Sequence, residues 1–410
     1  MPTDIHLDSE LPLTTSVTIK NRFFKAAMSE QLSDRNHNPT PELFKLYETW
    51  ARGGTGICVT GNLMVDRNAL GEPKNVVLDP QSDLSIFREW VRHGTANNTQ
   101  LWAQLNHPGK QTPSFMSSEP LAPSAIALEG ELEKGFKKPR AMTHEEINDV
   151  IKAFATSAGL AKEVGFQGVQ IHSAHGYLVN QFLSPRHNQR NDQWGGSAEN
   201  RQRFVLEVFK AIRESVGEAF PIGIKLNSAD FMKDGLSEEE SMEVVRTLSD
   251  AGIDLIEVSG GTYESPAMMG VNLKESTLKR EAYFLEYAIK ARQHTDKVLV
   301  VTGGFRSAAA MSSALHDNAC DMIGLGRPMA MQPDLPQQAI NSPDFKTTVQ
   351  FKSTGIEILD KIAMLDLTWY EAQLSLMGKG KQPNTNLSGW NVLLQTLGNM
   401  GSYAFRKKRY

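Results

Sequence analysis

Short apolar runs rich in β-branched or aromatic residues recur along the chain, each closing on Gly, Ser, His, Asn or a similarly small or polar turn. In order they are "FFKAAM" (23–28), "GICVTG" (56–61), "QLWAQLNH" (100–107), "GVQIHSA" (168–174), "PIGIKLN" (221–227), "LIEVSGG" (255–261), "VLVVTGG" (298–304) and "MIGLGRP" (322–328). Between them lie segments of helical period, among them "PELFKLYETWARG", "HEEINDVIKAFATSAGLAKEVG" and "AENRQRFVLEVFKAIRESVG". A near-continuous apolar strand is one buried on both faces, which is the mark of a parallel sheet covered by helices. Eight strand–helix units in one chain predict a (β/α)8 TIM barrel, with a doubly wound open sheet as the alternative. With 410 residues, 40% of them hydrophobic, the chain is long enough for one such core.

Two segments exceed a minimal barrel. Residues 107–142 form an excursion with several Pro and Gly after the third strand, too long for an ordinary connection, and read as a lid or rim. The expected organisation is a barrel over 1–342 and a C-terminal helical extension over 343–410. In that extension "ILDKIAMLDLTWYEAQLSLMG" sets Leu359, Ile362, Trp369, Tyr370, Leu374 and Met377 near one helical face, and "LSGWNVLLQTLGNMGSYAFRKKRY" ends in basic residues. Packing of these helices on the barrel or on a second copy in a homo-oligomer is one reading, and a membrane-surface helix is the other.

A net charge of −4 with dispersed Lys and Arg gives no nucleic-acid face. The two cysteines, Cys58 and Cys320, have no spacing that would hold zinc or an iron–sulfur cluster. The first residues lack the basic and apolar regions of a signal peptide, and no apolar window is long enough to span a bilayer. The expectation is a cytoplasmic protein acting on a small molecule.

In a barrel, function gathers at the C-terminal ends of the strands. There this chain carries Gln104, Asn106 and His107 after the third strand, then His172, His175 and Tyr177 after the fourth. Lys225 and Asn227 follow the fifth, Gly303 and Gly304 the seventh, and Gly326 and Arg327 the eighth. Paired glycines expose backbone N–H groups, and an adjacent arginine adds a bidentate donor, so the last two ends form a candidate phosphate cradle. A phosphate-bearing cofactor with a cation and a glutamine elsewhere on the rim points to flavin mononucleotide, since a cation stabilises a reduced flavin and a glutamine matches its donor–acceptor edge. Neutral His172 and His175 could then hold a substrate oxygen and Tyr177 supply a proton. Each residue has a plainer reading too: strand-end histidines as structural groups, Lys225 as a solvated ion pair, Tyr177 as a loop anchor and Gln104 as a core amide. A histidine-bound metal in a hydrolase, and a flavin-binding interaction module, stand as competing functions.

The stretch 172–204, "HSAHGYLVNQFLSPRHNQRNDQWGGSAENRQRF", resembles the signature of the Old Yellow Enzyme family of FMN-dependent ene-reductases. The resemblance runs from about Leu13 to Gln338 and takes in "KNRFFKAAM", "QLNHPGKQ", "VSGG", "TGGF" and "GLGRP". It implies a histidine pair at His172 and His175, a proton-donating tyrosine at Tyr177 and a flavin-contacting glutamine at Gln104. It also implies flavin contacts at Ala27, Met28 and Ser29 after the first strand, a small residue at Gly61, a cation at Lys225, and phosphate contacts at Gly303, Gly304, Gly326 and Arg327. The second half of the stretch reads as structural, with Ser197 as a helix N-cap. NADH or NADPH would reduce the flavin in the pocket where the alkene later binds. Larger relatives carry an iron–sulfur cysteine cluster, for which two cysteines are too few. The chain departs from the family pattern in four places: Ala27 for proline, Ser29 for threonine or cysteine, Lys225 for arginine and Gln31 for tyrosine. The first of these changes a backbone constraint, and the third keeps the charge but loses the planar fork.

Overall fold

The computed structural model describes residues 5–117, 119–265, 267, 281–350, 352–362 and 364–407. All eight predicted strands form: β1 (Phe23–Lys25), β2 (Ile57–Met64), β3 (Gln100–Asn106), β4 (Gly168–Ser173), β5 (Ile222–Asn227), β6 (Leu255–Ser259), β7 (Val298–Thr302) and β8 (Met322–Leu325). They pair in chain order, all parallel, and β1 closes the ring by pairing with both β8 (Phe24 opposite Gly324) and β2 (Phe24 opposite Ile57). The closed ring settles the choice in favour of the (β/α)8 barrel over the open sheet. A two-residue strand, Val76–Val77, adds itself to the far end of β2.

The barrel interior is filled by side chains that alternate along the strands. Phe24, Ile57, Val59, Trp102, Leu255, Val300 and Met322 pack together, with Leu11 and Ile19 of an antiparallel Leu11–Pro12/Thr18–Ile19 hairpin against them. Trp102 occupies so much of this space that a Cβ at Gly168 would lie 2.4 Å from its ring and one at Gly223 2.9 Å from it, so β4 and β5 carry glycine there.

The outer layer consists of α1 (Pro41–Arg52), α2 (Leu84–Gly94), α3 (His144–Val164), α4 (Ala198–Val216), α5 (Glu238–Ala251), α6 (Leu285–Ala291) and α7 (Ala308–His316). Local sequence sets their starts. Thr143 with Glu146, and Ser237 with Glu240, form capping boxes at α3 and α5, and Ser197 caps α4 as expected by accepting from the Asn200 N–H. The excursion is tied down from within. Lys110, 2% exposed, reaches the Ala127 carbonyl at 3.3 Å and His187 Nδ1 at 3.0 Å, with Glu264 3.8 Å away, and burial lowers its pKa to about 8.

Beyond residue 343 the single amphipathic face expected from the sequence is divided. Helices Glu357–Ile362 and α8 (Leu365–Gly378) are separate, and Met364 between them takes a left-handed φ of 45°. Trp369, Tyr370, Leu374 and Met377 are buried, while the side chain of Ile362 lies outside the described residues. The last helix, α9 (Gly389–Lys407), buries Val392 and Leu393 but leaves Trp390, Leu394 and Leu397 exposed. The basic residues at 408–410 lie outside the described residues. Among the described residues no helix is long and apolar enough to cross a membrane.

Candidate active site

A cavity of about 550 Å³ opens at the C-terminal ends of the barrel strands. Of the residues that the family resemblance places at the site, all line it except Gly61: Ala27, Met28, Ser29, Gln104, His172, His175, Tyr177, Lys225, Gly303, Gly304, Gly326 and Arg327 are present. The exception has a local cause. The pairing of β2 with β3 shifts register between Val59 and Asn62, and a bulge of this kind re-aims the residues that follow it. Asn62 therefore lines the cavity, where its Oδ1 is buried without a partner. Gly61 points the other way, its N–H donating to Tyr47 Oη at 2.9 Å and Glu30 Oε1 at 3.2 Å. A Cβ at Gly61 would lie 2.6 Å from the Met28 carbonyl oxygen, so this glycine lets the segment after β1 come close.

The histidines and the tyrosine owe their placement to a sharp turn at the end of β4. His175 has φ 60° and Gly176 φ 79°, two successive left-handed residues. Such a conformation is costly for a residue with a side chain and persists only where its surroundings hold it. Here the His175 N–H donates to Asn227 Oδ1 at 3.2 Å and Nε2 lies 2.8 Å from Ser259 Oγ. A Cβ at Gly176 would meet Gln111 Oε1 at 2.7 Å. The turn sets the His172 and His175 rings perpendicular with centroids 5.3 Å apart, and brings the Tyr177 ring to 4.7 Å from His172.

Burial sets the protonation of these groups. His172 is held well below the usual histidine pKa by loss of water, then by His175 and Lys225, and His175 is held down by burial and Lys225. Both are neutral at physiological pH. The Ala174 N–H donates to His172 Nδ1 at 3.3 Å, which leaves the ring proton on Nε2. Burial, followed by the charge of Glu72, raises the Tyr177 phenol, whose oxygen lies 2.7 Å from that of Tyr263.

The floor carries a connected polar network. Lys225 Nζ lies 3.1 Å from Glu257 Oε1, and both side chains are buried. Glu257 also accepts from Thr302 Oγ1 at 2.7 Å and Gln170 Nε2 at 2.8 Å, and Gln170 accepts from Gln104 Nε2 at 2.7 Å. At the other end, Gly303 (φ 122°) and Gly304 (φ 97°) turn the chain in a way that suits only glycine, and a Cβ at Gly304 would meet the Ala282 nitrogen at 2.6 Å. At Gly326 a Cβ would meet nothing, so the chain beside Arg327 stands open to the cavity. Arg306 also lines this end. An open glycine cradle beside guanidinium groups, with a buried lysine and an unpartnered amide oxygen further in, suits a planar polar ring on a phosphorylated chain.

Asn62, Glu72, Ser259, Tyr263, Thr302 and Arg306 are cavity residues that strand-end reasoning did not single out. Behind the lining, Glu257 was also not singled out, although a glutamate at the centre of the apolar run "LIEVS" signals a buried charge in need of a partner. Leu132 of the excursion reaches the cavity from outside the barrel. Asn106 and His107 stay buried but off the lining, the latter with its pKa lowered by burial to about 4. Among the described residues no group of three or more His, Cys, Asp or Glu side chains forms a metal-ligand set.

Comparison with known proteins agrees with this geometry. A model of the NADH:flavin oxidoreductase / NADH oxidase family matches residues 12–343. The NADH-dependent flavin oxidoreductase iliE of Neonectria sp. is 37% identical over 370 residues, covering 84% of this chain and 48% of that protein. The chain thus spans about half the length of that relative. The iliE protein of Hypocrea jecorina is 35% identical over 372 residues, covering 84% of this chain and 91% of its own. Among solved structures, morphinone reductase superposes with a TM-score of 0.69 at 25% identity, over 84% of this chain and 92% of that one. By its barrel, its cavity and a family match that covers most of its length, this chain belongs to the NADH:flavin oxidoreductase / NADH oxidase family, the Old Yellow Enzyme family of flavoproteins.

Proposed function

We propose that the protein reduces activated C=C bonds, those of α,β-unsaturated carbonyl compounds and also nitro-substituted substrates, with NADH or NADPH as reductant and FMN as cofactor. The nicotinamide and the acceptor would take turns in one pocket. When bound, FMN supplies the hydride relay from nicotinamide to acceptor. Ala27, Met28, Ser29, Gln104 and Lys225 would hold its ring system, with Gly303, Gly304, Gly326 and Arg327 at its phosphate. Gly61 serves the ring end indirectly, by giving Met28 room.

The remaining chemistry falls to this chain's own side chains. Neutral His172 and His175 donate hydrogen bonds to the carbonyl or nitro oxygen and stabilise the negative charge that develops there. Because both rings are already neutral and fixed, no proton has to leave before the substrate enters. Tyr177 gives its proton to the α-carbon, the alkene carbon bonded to the carbonyl or nitro group. Tyr263 orients the phenol, and burial keeps Tyr177 protonated across the physiological range. The barrel over 1–342 carries these groups, with 343–410 as an extension of it.

The observation that carries this reading is the convergence of three uncharged buried donors, His172, His175 and Tyr177, on one cavity with the glycine cradle. A phenol such as 4-hydroxybenzaldehyde tests it, because a phenolate held over oxidised flavin gives a long-wavelength absorption band. The purified protein should show flavin absorption and gain that band on titration. His172→Ala combined with His175→Ala should weaken phenol binding by ~10-fold or more. Unchanged phenol affinity in the double variant would remove the histidines from the pocket.

A further inference from the structure

The segment shared with the family ends at residue 343, but the cavity wall does not. Met364, Asp366, Leu367, Tyr370 and Leu374, all at or within α8, line it as well. Their position follows from the order of strands in the ring. α8 packs on α1 and on the short helix Arg327–Met331, so it stands on the β8 and β1 side, away from the β4 end that carries the histidines. Gly378 makes that approach close: a Cβ there would lie 2.8 Å from the Glu42 carbonyl oxygen at the start of α1.

Several bonds fix the helix in this place. Trp369 Nε1 donates to the Leu387 carbonyl at 2.9 Å, and the Tyr370 hydroxyl donates to the Gln350 carbonyl. Gln31 Nε2, in the loop after β1, donates to Glu371 Oε2 at 2.8 Å. Two residues before Gln31, Ser29 Oγ donates to Glu72 Oε2 at 2.6 Å. Tyr370 lies within electrostatic reach of both Arg327 and Arg306 at the cradle end. The departure at Gln31, where the family pattern has tyrosine, thus has a structural counterpart: the amide is spent on seating the tail.

We propose that α8 is a fixed part of the cofactor site, with Leu367 and Tyr370 closing the cavity over the arginine end and the Gln31–Glu371 bond seating the helix on the loop after β1. The tail and the barrel then hold FMN jointly, and neither wall alone retains it fully. This rests on the reading of the cavity as an FMN site. Because the cofactor and the docked helix stabilise each other, binding of one strengthens the other by the same factor.

The test uses the full chain, with FMN added to the cofactor-stripped protein and its fluorescence followed. Tyr370→Ala should raise the FMN dissociation constant by ~10-fold or more, and Gln31→Ala by a smaller factor. FMN should also slow amide hydrogen exchange across 365–378 in the parent. Should Tyr370→Ala misfold, Leu367→Ala together with the exchange measurement carries the same test. Parent-like FMN affinity in these variants with a raised KM for the alkene would overturn the proposal and make α8 an acceptor wall. Failure of the parent itself to take up FMN would instead overturn the cofactor reading on which the proposal rests.

Discussion

On the β4 and β5 side of the cavity each reactive group is carried by a strand end and held by its neighbours, whereas the β1 side is assembled from pieces far apart in the chain. His172, His175 and Tyr177 lie within six residues of one another, and Lys225 and Glu257 sit on adjacent strands. Opposite them, Ser29, Gln31, Glu72 and Glu371 come together from the loop after β1, the loop after β2 and the tail. The two sides also treat charge differently. On the first a buried carboxylate meets a buried ammonium, while on the second two carboxyl groups face each other with only hydroxyl and amide partners. Burial, then the nearby Glu72, pushes Glu371 up to about 8, and Glu72 is raised by burial as well. The first side pairs its buried charge across adjacent strands, whereas on the second burial raises the pKa of the facing carboxyls, although Lys25 and Glu30 also form a buried pair there at 3.8 Å.

Breaking the first side should have the largest effect. Tyr177→Phe should slow the alkene half-reaction by ~10²–10⁴-fold, the usual worth of a positioned proton donor, with flavin reduction by nicotinamide nearly unchanged. Stopped-flow measurement of the two halves decides this, and equal losses in both would take Tyr177 out of the proton step. Next comes Lys225→Met, which leaves Glu257 buried without its cation and should lower the unfolding free energy by ~3–5 kcal/mol in denaturant titration. Adding Glu257→Gln should recover part of that loss, and no recovery would mean that the pair is not what the floor depends on.

The smallest effect sharpens the second side. Glu371 keeps its proton in the folded protein up to about pH 8, whereas an exposed glutamate loses it near its ordinary value of 4.5. Between those values the folded state binds the extra proton, so the stability of the docked tail falls as pH rises through this window and levels off above it. Hydrogen exchange across 365–378 should accelerate over the same range. Glu371→Gln should flatten the profile while keeping an acceptor for Gln31, and a profile unchanged in that variant would assign the dependence to Glu72 or Glu30.

The same contrast explains what was legible in the sequence. The strands were readable because burial on both faces leaves near-unbroken apolar runs, and the β4 groups because they fall together at a strand end. Asn62 was missed in favour of Gly61 because a bulge in β2 shifts the register, and nothing in "GICVTGNLM" marks where the extra residue falls. Glu72 and Tyr263 lie in loops, whose course no periodicity reports. The tail was readable as helical but not as a cavity wall, since its position depends on packing against α1 and on a bond to Gln31, some 340 residues earlier in the chain. Glu257 alone among the missed groups had a visible signal, a charge inside an apolar strand.

A wall contributed by the same chain has a consequence for how the protein behaves on dilution. A subunit-borne wall is lost when partners separate, but α8 is tethered to the barrel it covers, and tethering fixes its local concentration whatever the amount of protein in solution. Completion of this end of the cavity is therefore a first-order event within one molecule. Turnover per molecule should stay constant from dilute assay to crowded cell as far as this wall is concerned.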